Sequence, residues 1–370
     1  MKSDFLALAV PGVQKLSPYV TGKPIDELAR ELGIDPAQIV KLASNENPLG
    51  PSPKVLEAIR AELPELTRYP DGSGYVLKQK LSERFGLSPE LITLGNGSND
   101  IIDIVARAYL APGLNAVFSA HAFAAYPICT QAVGAESRVV PAIDYGYDLD
   151  GLIKAIDDNT RVLFIANPNN PTGTWFGADA LEHFLSRVPA HVLVVLDEAY
   201  IEFSEPGELP NGLDYLARYP NLLVSRTLCK AYGLAGLRVG YAASSAQIAD
   251  VLNRVRQPFN VNSLALVAAC AALDDTDYLA AGRRLNSAGM AQLEAGLREL
   301  GLAWIPSKGN FIAVDFGRDA APINAGLLRE GVIVRPIAGY GMPTFLRVSI
   351  GTEQENARFL EALSKVLASA

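Results

Sequence analysis

Cysteine is scarce in this chain: Cys129, Cys229 and Cys270 are the three thiols in 370 residues, an odd number with no C-x-x-C spacing. Neither a disulfide framework nor a zinc knuckle is supported, and a reducing, cytoplasmic setting is expected. Histidine is as rare, and the three present, His121, His183 and His191, form no H-x-x-x-H pair. Histidine-led metal chemistry is therefore not expected, and only carboxylate magnesium sites stay open as a metal class. Positive charge is in deficit, with 32 Lys and Arg against 40 Asp and Glu and a formal net charge of -8. That argues against nucleic acid as the main partner, because phosphate-backbone binding needs a basic face. No apolar run reaches the roughly 18 residues of a membrane helix, so VLVVL (192–196) and LALVAACAAL (264–273) read as core segments. Asp4 stands where a secretory leader would be basic, so no leader is expected.

What the chain does have is length and apolar content, 49% hydrophobic residues, enough for one large domain plus a smaller one. The runs AVFSA (116–120), RVLFIA (161–166), HVLVVLD (191–197) and NLLVS (221–225) alternate with helix-length segments. Continuous apolar strands of that kind predict an α/β fold with a mostly parallel sheet covered on both faces, whose ligands collect at the carboxyl ends of the strands. The last third shifts to a long helical pattern and then the strand-like NFIAVDF (310–316) and FLRVSI (345–350), a smaller α+β domain. The expected division is an N-terminal arm over 1–45 that joins the small domain, a large domain over 46–262 and a small domain over 263–370.

Four segments carry chemistry. In LGNGSNDIIDIVARAYL, Gly95 and Gly97 permit a tight turn, and Ser98, Asn99 and Asp100 offer cap oxygens to a helix opening at about residue 99, whose free N–H groups can cradle an anion. The third glycine of a dinucleotide fingerprint is missing. ANPNNPTGT (166–174) is a rigid turn that holds Asn170 at a strand end. In VLVVLDEAYIEF, Asp197 ends a buried strand, where a carboxylate wants a cationic partner, and Tyr200 follows within reach. In SRTLCKAYGLAGLRVG (225–240), Lys230 lies beyond another strand end, where burial would lower its pKa and make it a nucleophile toward an aldehyde. Thr227 and Arg238 stand beside it as phosphate donors. An amine nucleophile, a carboxylate, a phenol, an amide and an anion cradle form the inventory for pyridoxal 5'-phosphate.

The chain resembles pyridoxal-phosphate enzymes of the aspartate-aminotransferase fold (fold type I) and, within it, histidinol-phosphate aminotransferases. The matching segments are KLASNENPLGPSP (41–53), RYPDG (68–72), GNGSND (95–100), NPNNPTG (167–173), DEAY (197–200), RTLCKAYGLAGLRVG (226–240) and RPIAGYGMPTFLRVSIGT (335–352), in the family's order. The resemblance implies that Lys230 bonds the cofactor aldehyde, Asp197 pairs with the pyridine nitrogen, and Asn170 and Tyr200 hold the ring oxygen. It implies Phe123 stacked on the ring, with Gly97, Ser98, Thr227 and Arg238 around the phosphate. Cys229 departs from the pattern, because the family usually has a serine there. Tyr69 resembles a tyrosine that reaches the phosphate of a partner subunit, which implies a homodimer. Arg347 resembles the arginine that binds the substrate's anionic group, and Arg335 and Tyr19 match further phosphate donors.

The implied activity is amino transfer between histidinol phosphate and 2-oxoglutarate, in histidine biosynthesis. A phenylalanine or other aromatic aminotransferase could use the same arginine. A decarboxylase of a phosphorylated amino acid and a cofactor-sensing regulator are the alternatives from other classes.

Overall fold

The computed structural model describes residues 4–19 and 21–369. Its centre is a seven-stranded sheet of β2 (Ile92–Gly95), β3 (Asn115–Ser119), β4 (Glu136–Val140), β5 (Thr160–Ala166), β6 (Leu193–Asp197), β7 (Leu222–Thr227) and β8 (Gly240–Ser244). The strand order is β2-β8-β7-β6-β5-β3-β4. All neighbouring pairs are parallel except those of β8, which runs antiparallel to both β2 and β7. The strands β5, β6 and β7 are almost wholly buried, as their continuous Val, Leu and Ile content requires once helices cover both faces. Separate apolar cores lie on the two sides of this sheet.

The four expected strands of this sheet are present within one or two residues, whereas β8, with the sequence GYAAS, has the small-residue content of a coil and becomes a strand through pairing on both edges.

A second sheet, in the order β12-β13-β10-β9, is built from β9 (Ala303–Ile305), β10 (Phe311–Asp315), β12 (Arg335–Pro336) and β13 (Phe345–Ser349) and is antiparallel throughout. The short strand β1 (Val40–Lys41), within the expected N-terminal arm, pairs in parallel with β11 (Val332–Ile333) of the C-terminal part of the chain. Beyond it, Leu42 donates to Ile333 O and accepts from Ser349 N, which runs residues 42–45 along the end of β13.

The helix Ser263–Leu273, which follows the expected boundary at 262, packs on the helices Pro53–Glu62 and Tyr75–Phe85 and joins the core beside the large sheet. Its sequence SLALVAACAAL is apolar on every side, so it needs burial all round rather than along one stripe.

Candidate active site

The carboxyl ends of β5, β6 and β7 open on a cavity of about 260 Å³ lined by Asp197, Asn170, Tyr200, Thr227, Cys229 and Lys230 among others. Parallel strands deliver these residues to one edge, where a side chain just past a strand end faces space the sheet does not fill. Ser98, Phe123, Arg238, Tyr19, Arg335 and Arg347 also line it, whereas Gly97 and Tyr69 of the expected set do not.

Lys230 is enclosed, and its Nζ donates to Ser44 O at 2.9 Å. Burial, reinforced by the charge of Arg347, lowers its pKa from 10.5 to about 8. A neutral amine is thus within reach near physiological pH. Asp197, 4% exposed, has no cation within ion-pair distance among the described residues and accepts from Tyr126 Oη at 3.1 Å and Ala199 N at 3.2 Å. Burial pushes its carboxyl up to about 6, opposed by those two hydrogen bonds. Such a carboxylate lacks a positive partner on the side facing the cavity.

Among the described residues, Arg347 on β13 is buried with no carboxylate in ion-pair contact and no hydrogen-bond partner for its Nε. Its Nη1 donates to Asn170 Oδ1 at 2.5 Å and its Nη2 to Ala43 O at 2.7 Å. Burial lowers its pKa, and a guanidinium so placed is completed by an anion able to take a fork of donors. Arg335, on the neighbouring β12, lies 5.2 Å over the Tyr19 ring.

At the opposite wall, Gly97 caps the helix Ser98–Tyr109 with φ 79, and a Cβ there would lie 2.5 Å from Arg238 Nη2. The bare glycine is what lets the guanidinium lie across the helix N-terminus, which itself favours anions. Arg238 Nη1 donates to Cys229 Sγ at 3.2 Å and to Ala235 O at 3.3 Å. Thr227 Oγ1 donates to Val239 O and accepts from Cys229 N, and Cys229 Sγ also points at Val239 O, at 3.6 Å. Phe123 stands half-buried, edge-on to Tyr126.

Tyr69 is outside this cavity. It is 83% exposed and stacks on Phe259 with ring centroids 4.8 Å apart. Three participants escape a residue-by-residue reading of the sequence. Asn45, within the quoted SNEN run, donates to Tyr200 Oη at 3.0 Å; Tyr126, three residues after Phe123, holds Asp197; and Ser44 supplies the carbonyl for Lys230.

The sequence model for aminotransferase class I and II matches residues 37–363. The chain belongs to that family. Relatives of the aminotransferase include histidinol-phosphate aminotransferase 2 of Pseudomonas aeruginosa, 77% identical over 99% of both chains, and histidinol-phosphate aminotransferase of Stutzerimonas stutzeri, 77% identical over 99% of this chain and 100% of the relative. The crystal structure of the Sinorhizobium meliloti histidinol-phosphate aminotransferase in complex with pyridoxal-5'-phosphate superposes with a TM-score of 0.89 at 32% identity, covering 97% of each chain. The fold of the aminotransferase is thus the type I fold of pyridoxal-phosphate enzymes. Its cavity suits such a group: a buried amine for the aldehyde, an orphaned carboxylate for the pyridine nitrogen, and a cradle beneath Arg238 that a Cβ would fill.

Proposed function

We propose that this aminotransferase moves the amino group of L-histidinol phosphate to 2-oxoglutarate, using pyridoxal phosphate on Lys230. The observation that carries the substrate is the cavity's charge: Lys230, Arg238, Arg335 and Arg347 line it against a single carboxylate, Asp197. Arg238 and the helix N-terminus serve the cofactor phosphate, which leaves Arg347 and Arg335 at the other wall for the substrate. A fork at Arg347 receives either the α-carboxylate of glutamate or the phosphate of histidinol phosphate, and Arg335 with Tyr19 adds donors for the larger anion. The relatives at 77% identity carry the name of the same activity.

When bound, the cofactor supplies an electron sink for the bond broken at the substrate's Cα. Lys230 is the amine in the cavity whose lowered pKa lets it carry that proton in either direction. Asp197, kept ionised by Tyr126 and Ala199, supplies the negative charge that holds the pyridine nitrogen protonated. Asn170 and Tyr200 would hold the ring oxygen, and Phe123 would cover the ring.

The working form is a homodimer in the cytoplasm. Leu63, Leu66, Tyr69, Tyr75 and Val76 are large exposed apolar residues close together in sequence, and Tyr69 in its stacked position is free to reach the phosphate of a second copy. Sedimentation of purified protein as a monomer would remove this assignment.

Steady-state rates with histidinol phosphate and with phenylalanine, each against 2-oxoglutarate, test the substrate. Histidinol phosphate is expected to lead in kcat/KM. A lead of more than tenfold for phenylalanine would replace this reading with an aromatic aminotransferase, and carbon dioxide release without a keto acid would replace it with a decarboxylase.

A further inference from the structure

The Tyr200 hydroxyl is held by a residue outside the set that the motifs single out. Asn45 is 1% exposed with φ 54, a left-handed conformation that asparagine tolerates better than most residues. Its backbone N donates to Ser349 Oγ at 2.8 Å, and Ser349 Oγ returns a hydrogen bond to Asn45 Oδ1 at 3.0 Å. Asn310 Nδ2 donates to its carbonyl at 3.1 Å.

The backbone N–H of Asn45 can only donate, so Ser349 Oγ accepts there with one of its two lone pairs, and its hydroxyl hydrogen goes to Oδ1 of Asn45. In that arrangement Oδ1 is the acceptor and Nδ2 donates to Tyr200 Oη at 3.0 Å. Tyr200 Oη therefore accepts from Asn45 and keeps its own hydrogen for something else. Among the described residues no group accepts that hydrogen, and Tyr200 lines the cavity.

We propose that Asn45 and Ser349 are positioning residues that commit Tyr200 to donate to the ring oxygen of the cofactor; this rests on the assignment of Tyr200 to that oxygen. The pair also ties cofactor to substrate. Ser349 and Arg347 are two residues apart on one face of β13, and Arg347 holds Ala43 O, two residues before Asn45. The strand that carries the substrate's arginine thus carries the serine that orients Tyr200.

The test is a pH titration of the visible band of the cofactor-bound protein. A donor to the ring oxygen favours its deprotonated form, so loss of the donor raises the apparent pKa of the band. Asn45→Asp replaces a donor with an acceptor that takes the Tyr200 hydrogen, and is expected to raise the apparent pKa by about one unit, the worth of one hydrogen bond. In a Tyr200→Phe background the same substitution should add less than about a third of that, since only the new charge is left to act. Ser349→Ala frees the amide to flip and should give a smaller upward shift that also vanishes in that background, which keeps the test available if Asn45→Asp fails to fold. Equal shifts in both backgrounds, or no shift in Asn45→Asp with the cofactor bound, overturn the proposal while leaving the function intact. A band that Tyr200→Phe alone does not move overturns it together with the assignment of Tyr200.

Discussion

Tyr126 donates its hydroxyl to Asp197 Oδ2 across 3.1 Å, beneath the cavity and fully enclosed. Burial and the neighbouring carboxylate raise the tyrosine's pKa well above its usual value, so it is always the donor. Its ring is pinned against Phe164, with centroids 4.8 Å apart and nearly parallel planes, so the hydroxyl has little freedom to turn away. Tyr126→Phe should leave the fold intact, raise the Asp197 pKa further and weaken cofactor binding by about ten- to a hundredfold, the worth of one hydrogen bond to a charged group. Equilibrium dialysis of the cofactor measures it.

Lys230 sets a pH dependence. Its lowered pKa of about 8 means the neutral, nucleophilic fraction falls as pH drops. Reconstitution of cofactor-free protein, followed by growth of the visible band, should speed up about tenfold per pH unit below 8 and level off above it.

Arg347→Lys keeps a positive charge and loses the fork. Lysine cannot reach Asn170 Oδ1, Ala43 O and a substrate anion together. A fall of about a hundredfold in kcat/KM for both substrates is expected, with cofactor affinity much less affected, because the arginine is on the substrate wall. Steady-state kinetics and dialysis separate the two effects.

Cys229 is more than a bystander, since its sulfur accepts from Arg238 Nη1 at 3.2 Å and faces Val239 O. A thiol is a weak donor and acceptor, and a serine there would hold Arg238 more firmly and add a hydroxyl for the phosphate. Cys229→Ser should tighten cofactor binding about threefold, within the worth of one neutral hydrogen bond. An unchanged dissociation constant would show that the thiol has no influence on the site.

Stability rests on a different pair. Arg226 donates through Nε and Nη2 to Glu198 Oε2 at 2.9 and 2.7 Å, and Gly212 N donates to Glu198 Oε1 at 2.7 Å, with Glu198 next to Asp197 in sequence. Arg226→Met should destabilise the protein by about 3–5 kcal/mol, because it leaves Glu198 buried without its cation. The sign with pH follows from burial, which already raises the Glu198 pKa against the pull of Arg226. Without the arginine that pKa rises further, so the penalty is small below the ordinary glutamate pKa and grows as pH climbs through the raised value. Thermal unfolding at pH 5 and pH 8 should show the larger deficit at pH 8.

The parallel strands were legible in sequence because a strand buried on both faces leaves a continuous apolar run, as in VLVVLD, and the residue that breaks the run, Asp197, marks the functional edge. The same logic located Asn170, Tyr200 and Lys230. Asn45 and Tyr126 were hidden by a different physics. Each touches its partner across more than 70 positions of chain, and neither sits at a strand end. The faint signal for Tyr126 is its spacing from Phe123, three residues on, which one helical turn converts into a shared face. The apolar run of the helix Ser263–Leu273 says that it is buried but not against what. Tyr69 follows no strand end and lies outside the cavity, stacked on Phe259.

A spectral titration reads the cofactor, Lys230 and histidinol phosphate in this cavity together. Purified protein supplied with pyridoxal phosphate should show a visible band that histidinol phosphate bleaches and 2-oxoglutarate restores, with Lys230→Ala lacking both responses. A wild-type protein that stays colourless with the cofactor, or a band that histidinol phosphate leaves unchanged, would contradict the account.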